Sequence, residues 1–238
     1  MPAAPDKFES IRAFYDNEYY GHGAPSPLPW HSRAIAARLG NMTGRHVLDV
    51  ACGTGEWLEL FRQQSASIAG IDLSQKAIDA CLARFPGGEF VCGPAETLPF
   101  ADAQFDLVTC MGSLEHFLEK PRALAEMKRV AKPGARFLIL VPNADFLTRK
   151  LGLYRGTQQV KAREEVLDLV AWNNLFEQAG LAVTARWRDL RPLSWSWIAR
   201  GNVLVWPLRA LQAFALALWP LRWQYQVYHY CRVANHSD

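Results

Sequence analysis

A chain of 238 residues is long enough to bury one full core, with room for an elaboration. Half of its residues are hydrophobic and 21% are charged, as in an ordinary water-soluble protein, and a net charge of +3 is too small to argue for a nucleic-acid partner. Five scattered cysteines, an odd number without a CxxC pair or zinc spacing, fit reduced thiols in a cytoplasmic compartment better than a disulfide framework.

The opening MPAAPDKFES has no apolar core and does not read as a signal peptide. Residues 7–20, KFESIRAFYDNEYY, have helical spacing with an aromatic face. GHGAPSPLPW is a Pro/Gly connector, and HSRAIAARLG is a second helix stopped by Gly40. An alternation then begins. Strands are expected at 46–51, 67–72, 89–92, 105–111 and 136–141, with helices at 55–64, 75–84 and 121–131 among them. A further helix, 163–179, ends at Gly180 and leads into the strand LAVTARW. Such an order implies a mostly parallel, doubly wound α/β sheet with helices on both faces.

The stretch LDVACGTGEW sets a glycine turn between the first strand and the helix after it. That turn exposes backbone N–H groups at the positive end of a helix, in the place where doubly wound folds hold small ligands. It is not the dinucleotide fingerprint. Leu58 stands where the third glycine should be, and Glu56 is a poor neighbour for a pyrophosphate. A cofactor without a phosphate fits better. Asp72 ends the second strand in GIDLS, where a carboxylate can accept both hydroxyls of a ribose. GPAETLPF, FDLVTCMGSLEHF and RVAKPGARFLILVPN follow in order.

Taken together these blocks, from about residue 46 to 143, resemble the class I S-adenosylmethionine-dependent methyltransferases, the broad group that includes quinone, sugar and small-molecule enzymes. The resemblance implies a Rossmann-like seven-stranded sheet, S-adenosylmethionine as cofactor and S-adenosylhomocysteine as product. It implies that Asp49 orders the glycine loop and faces the amino group of the methionine part, which Gly53 and Gly55 let the backbone approach. Asp72 would take the ribose hydroxyls and Leu73 would pack on the adenine, with Ala95 and Glu96 at the adenine edge. Met111 and Gly112 would line the cofactor near its sulfur. One departure is Pro94, where the family commonly has an aspartate that meets the adenine amino group. Either Glu96 serves instead, or the Ala95 backbone and stacking hold the ring.

A hydroxyl acceptor needs a base as its proton leaves, and His116 in SLEHF is the best-placed histidine, although a cap or pocket-floor role would also explain it. Glu115 beside it is expected to face solvent. Tyr15, Tyr19, Tyr20, His22 and His31 reach the site if residues 1–40 form a helical lid. Nothing in the chain suggests a metal centre. Residues 41–188 then form the cofactor-binding core, and QYQVYHYCRVA (224–234) alternates as its last strand.

Residues 189–223 read as a helical insertion before that strand. From Arg186 to Arg232 there are seven arginines, no lysine and only Asp189 as an acid, a local charge of +6, together with six of the nine tryptophans. Its helical stretch between Pro207 and Pro220 has only 12 residues, about 18 Å at ~1.5 Å per residue, too short to span a bilayer core of about 30 Å. Leu208, Leu211, Ala215 and Leu218 either pack on the sheet or on a second subunit in a homodimer, or belong to a face on an anionic membrane surface or a lipid-linked substrate. The expected activity is methyl transfer to a small or lipid-linked acceptor, an oxygen such as a sugar hydroxyl or phenol, in the cytoplasm or at the inner membrane surface. N- or C-methylation, aminopropyl transfer on the same fold, and a non-catalytic partner subunit are the alternatives.

Overall fold

The computed structural model describes residues 7–19, 28–150, 152 and 165–234. Seven strands, β1 (His46–Val50), β2 (Ser67–Asp72), β3 (Glu89–Cys92), β4 (Phe105–Met111), β5 (Ala131–Pro142), β6 (Leu181–Arg188) and β7 (Gln226–Val233), form one sheet of order β3-β2-β1-β4-β5-β7-β6. The first five are parallel neighbours, and β7 lies antiparallel between β5 and β6.

The central strands are apolar on both sides because both faces of the sheet are covered. Adjacent residues therefore enter different cores. Val47, Leu107 and Leu138 meet α2 (Trp30–Ala37), α3 (Glu56–Arg62) and α4 (Gln75–Arg84) through Ile35, Trp57, Phe61 and Ile78. Leu48, Val108 and Phe137 meet α5 (Lys120–Val130) and α7 (Leu169–Gln178) through Leu124, Met127, Trp172 and Phe176 on the other face. Ser74 caps α4 by accepting the Ala77 N–H at 3.2 Å.

Two expected boundaries are corrected. The helix expected over 163–179 begins at Leu169, because the Asp168 carboxylate accepts the Val170 and Ala171 N–H groups at 2.9 and 2.8 Å and starts it there. Residues 165–168 are not helical, and 163 and 164 lie outside the described residues. The fifth strand begins at Ala131 rather than 136. Ala131 pairs with Phe105, the register then shifts, and regular pairing resumes at Arg136 opposite Leu107.

At the N-terminus, α1 (Lys7–Phe14) continues into a π-helical turn at Tyr15–Tyr19. A short α6 (Leu147–Lys150) follows β5. Between β6 and β7 the chain makes α8 (Trp195–Ile198) and α9 (Trp206–Leu218), with 3-10 turns at Arg191–Leu193, Val203–Val205 and Leu221–Trp223. Among the described residues no helix is long and apolar enough to cross a membrane.

Candidate functional site

The site is built at the carboxyl ends of β1, β2 and β4. After β1 the chain turns through left-handed backbone at Ala51 (φ 60°), Gly53 (54°) and Gly55 (79°) and enters α3. Ala51 adopts that conformation despite its side chain, a cost on the order of 1–3 kcal/mol. At Gly55 a Cβ would also lie 2.5 Å from Cε2 of the buried Phe85 ring, so only glycine fits.

Two buried carboxylates hold this loop. Asp72 Oδ2 accepts the Gly53 N–H at 2.9 Å, and Oδ1 accepts the Ser74 N–H at 2.9 Å. Burial raises its pKa, and these backbone N–H groups oppose the rise. Asp49 is only 2% exposed and accepts the Thr109 hydroxyl at 2.6 Å. Burial pushes its pKa up to about 7; the Thr109 bond opposes this, and the charges of Glu56 and Asp72 add to it.

A pocket opens above. Ala51, Ile71, Asp72 and Leu73 line one side, and Pro94, Ala95 and Glu96 line the edge contributed by the loop after β3. Ser113, His116 and Phe117 follow β4 into it. Arg129 pins the loop after β3 from behind, donating to the Leu98 and Phe100 carbonyls at 2.8 and 2.9 Å. Phe8, Ile11 and Tyr15 cover the pocket from α1 and its π-helical turn. That segment is fastened by Arg12 Nε donating to the Leu73 carbonyl at 3.0 Å, and by the Asp16 carboxylate, which accepts the Ser74 hydroxyl.

Of the residues singled out in the sequence, Tyr15, Asp72, Leu73, Ala95, Glu96 and His116 line this pocket. Asp49, Gly53 and Gly55 form or support the loop beside it. Glu96 is partly committed elsewhere, since its Oε1 accepts the Leu118 and Glu119 N–H groups at 2.9 and 3.2 Å at the start of α5. Met111 ends β4 and packs its side chain against the core beneath α2, while Ser113 forms the pocket wall there.

His31 lies in a separate buried polar cluster. Its Nδ1 is 3.5 Å from Asp189 Oδ1 and 3.4 Å from Ser32 Oγ. Tyr228 belongs to the same cluster, and burial, followed by the Asp189 charge, raises its pKa. The Tyr19 side chain, Tyr20 and His22 lie outside the described residues.

Glu115 corrects the expectation of a solvent-facing side chain, being 3% exposed. In the 3-10 turn Leu114–His116 the Glu115 carbonyl accepts the Glu165 N–H at 3.1 Å. His116 Nε2 is 4.0 Å from Glu115 Oε1. Sequence reasoning did not single out Phe8, Ile11, Arg12 or Asp16. The signal was the helical spacing of residues 8, 11 and 15, which places three apolar or aromatic side chains on one face.

Residues 48–139 match the model of a methyltransferase domain. The chain is 36% identical over 123 residues to the demethylmenaquinone methyltransferase of Renibacterium salmoninarum, covering 52% of this chain and only 50% of that relative, so it spans about half that protein's length. It is 30% identical over 225 residues to the ubiquinone biosynthesis O-methyltransferase of Bordetella avium, covering 84% of this chain and 89% of that one. In fold it resembles the crystal structure of an S-adenosylmethionine-dependent methyltransferase from Mesorhizobium loti, with a TM-score of 0.63, 17% identity, and 84% and 96% of the two chains covered.

Proposed function

The chain belongs to the class I S-adenosylmethionine-dependent methyltransferases, and from that premise we propose that it methylates a hydroxyl oxygen, a phenol or a sugar hydroxyl, on a small or lipid-linked acceptor. The observation that carries this reading is the near-full-length similarity to an O-methyltransferase of ubiquinone biosynthesis. The O-methyltransferases of Penicillium expansum and Aspergillus sclerotiorum among its other relatives support it.

The residues present suit this cofactor. Among the described residues lining the pocket there is no lysine or arginine to answer a phosphate, while Asp72 offers carboxylate oxygens beside the apolar Ile71 and Leu73. S-adenosylmethionine, when bound, supplies an electrophilic sulfonium methyl. The protein's part is then alignment, exclusion of water and removal of one proton. Asp72 already accepts the Gly53 and Ser74 N–H groups, one on each oxygen, and its remaining lone pairs would accept the ribose hydroxyls. Leu73 and Ala95 would border the adenine, with Glu96 Oε2 left for its amino group. Asp49 would face the methionine amino group. Phe8, Ile11 and Tyr15 shield the pocket from water, and His116 takes the acceptor's proton as its oxygen forms the new bond to carbon. Holding the acceptor in line supplies several kcal/mol of the barrier, about 7–11 kcal/mol in well-oriented systems.

The test is an acceptor screen with purified protein and isotope-labelled S-adenosylmethionine, read by mass spectrometry. The label is expected on the oxygen of a phenolic or sugar acceptor. Label found only on nitrogen or carbon would overturn the reading.

Asp49 makes a separate test through pH. With a native pKa near 7 against an unfolded value of 3.8, the native state keeps this proton between those values. The group's contribution to stability is therefore greatest below about pH 4 and declines as pH rises toward 7. A cationic amino group prefers the ionised form, so cofactor affinity is expected to rise with pH and level off above 7, with about one proton released per cofactor bound near pH 6. Calorimetry in two buffers of different ionisation enthalpy measures that proton. Asp49→Asn is expected to abolish the release and flatten the profile; an unchanged profile would remove Asp49 from the site.

A further inference from the structure

The α9 helix carries its apolar face outward. Its sole buried residue is Ala213, while Leu208, Leu211, Phe214 and Leu218 are between 60% and 69% exposed. Leu204, at 83%, and Trp195, at 69%, extend the same surface through the preceding turn and α8. The reading in which Leu208, Leu211 and Leu218 pack on the sheet is thereby corrected. This arrangement is fastened from beneath. Arg209 donates to the Trp197 carbonyl at 3.1 and 2.6 Å, and Gln224 Nε2 donates to the Leu216 and Trp219 carbonyls at 2.7 and 3.1 Å. A surface this apolar and this firmly held marks a contact site.

Charge identifies the partner. From residue 190 to the end of β7 there is no aspartate or glutamate and no lysine, only arginines. Arg200 and Arg222 are exposed, and the Arg222 guanidinium stands over the Trp223 ring at 5.0 Å. Asp189, the nearest acid in sequence, is buried. A second copy meeting the chain through this face would set arginines against arginines, with no carboxylate in residues 190–233 to answer them. An anionic bilayer answers both the apolar side chains and the cations.

We propose that the 195–223 surface docks onto an anionic lipid bilayer and lies in its headgroup region. The 13 residues of α9 extend about 20 Å, against a hydrocarbon core of about 30 Å, so the helix rests in the surface without crossing it. The insertion leaves β6 and returns to β7 at the end of the sheet where β1, β2 and β4 finish, the end that carries the pocket. Gly112, at the end of β4, is close enough to Gln226 that a Cβ on it would lie 3.8 Å from the amide nitrogen. The inserted segment and the pocket therefore rise from the same end of the sheet. The inference goes beyond the proposed reaction and does not depend on it.

Vesicles of phosphatidylcholine with phosphatidylglycerol, and of phosphatidylcholine alone, test it by flotation and by tryptophan emission. Wild-type protein is expected to float with the anionic vesicles at low salt, with blue-shifted emission, and to be largely released at high salt. Leu208→Gln with Leu211→Gln and Phe214→Gln should weaken this binding at least about tenfold while leaving S-adenosylmethionine affinity intact in calorimetry. The separate pair Arg200→Gln and Arg222→Gln changes only exposed side chains and should also weaken it, which keeps the test open if the apolar triple variant does not fold. Failure of the wild type to float with anionic vesicles at low salt would overturn the proposal. So would a wild-type dimer in light scattering that the apolar triple variant converts to monomer, since a second copy would then cover the face. Methylation of a soluble acceptor is measured without vesicles, so a failed docking site and a failed reaction remain distinguishable.

Discussion

Alanine in place of His116 is expected to slow turnover by roughly 10²–10⁴-fold, the usual contribution of a positioned base. Affinity for S-adenosylmethionine should stay within about threefold of wild type, because the glycine loop and both aspartates are untouched. The expectation rests on position. His116 lies in the pocket wall between Ser113 and Phe117, at the end of β4, and the buried Glu115 carboxylate is 4.0 Å from its Nε2. A hydroxyl acceptor must lose its proton as the carbon–oxygen bond forms, and an imidazole in the wall can accept it there. The measurement is single-turnover kinetics with the acceptor identified by the screen, beside calorimetry for the cofactor. A variant with turnover within about threefold of wild type would leave His116 as part of the wall, with rate supplied by alignment alone.

Asp72→Ala is expected to weaken cofactor binding by at least about 100-fold. Each charge-assisted hydrogen bond to this carboxylate is worth about 1.5–3 kcal/mol, and two ribose hydroxyls would lose theirs. Its removal also takes the acceptor from the Gly53 and Ser74 N–H groups, so the loop that approaches the cofactor loses its tie to β2. The variant should therefore melt at a lower temperature than wild type even without cofactor. Calorimetry and a thermal melt separate the two effects. A lower melting temperature with unchanged affinity would confine Asp72 to fastening the loop.

The parallel half of the fold was legible because each strand announces itself locally. HVLDV, SIAGID and FDLVTCM are short apolar runs bounded by turn residues, and buried strands need nothing from distant sequence to be recognised. The glycine loop was legible for the same reason. What escaped depended on tertiary placement. Residues 163–168 are compatible with helix in composition, but Asp168 bonds forward to Val170 and Ala171 and starts the helix later. Glu115 has the chemistry of a surface residue and is buried, its carbonyl accepting the N–H of Glu165, fifty positions away. His31, just after a Pro/Gly connector, joins a cluster whose other members, Asp189 and Tyr228, come from the far end of the chain. The outward face of α9 was half legible. Its tryptophans and arginines stood out by composition, yet periodicity alone does not say which side of a helix meets the protein.

β7 lies hydrogen-bonded between β5 and β6, with Arg188 opposite Val227, so both ends of the inserted segment are held one strand apart by the sheet itself. Everything between them is, topologically, the turn of a hairpin. Closing a flexible turn costs only about 0.6 kcal/mol for each doubling of its length, so extending a tight turn of about five residues to the length found here adds roughly 2 kcal/mol, before any contact the segment makes in return. The sheet can therefore accept a longer, shorter or wholly different segment at this point without altering any strand that carries Asp49, Asp72 or the glycine loop. Descendants of one cofactor-binding frame can diverge in the company they keep while their chemistry stays constant.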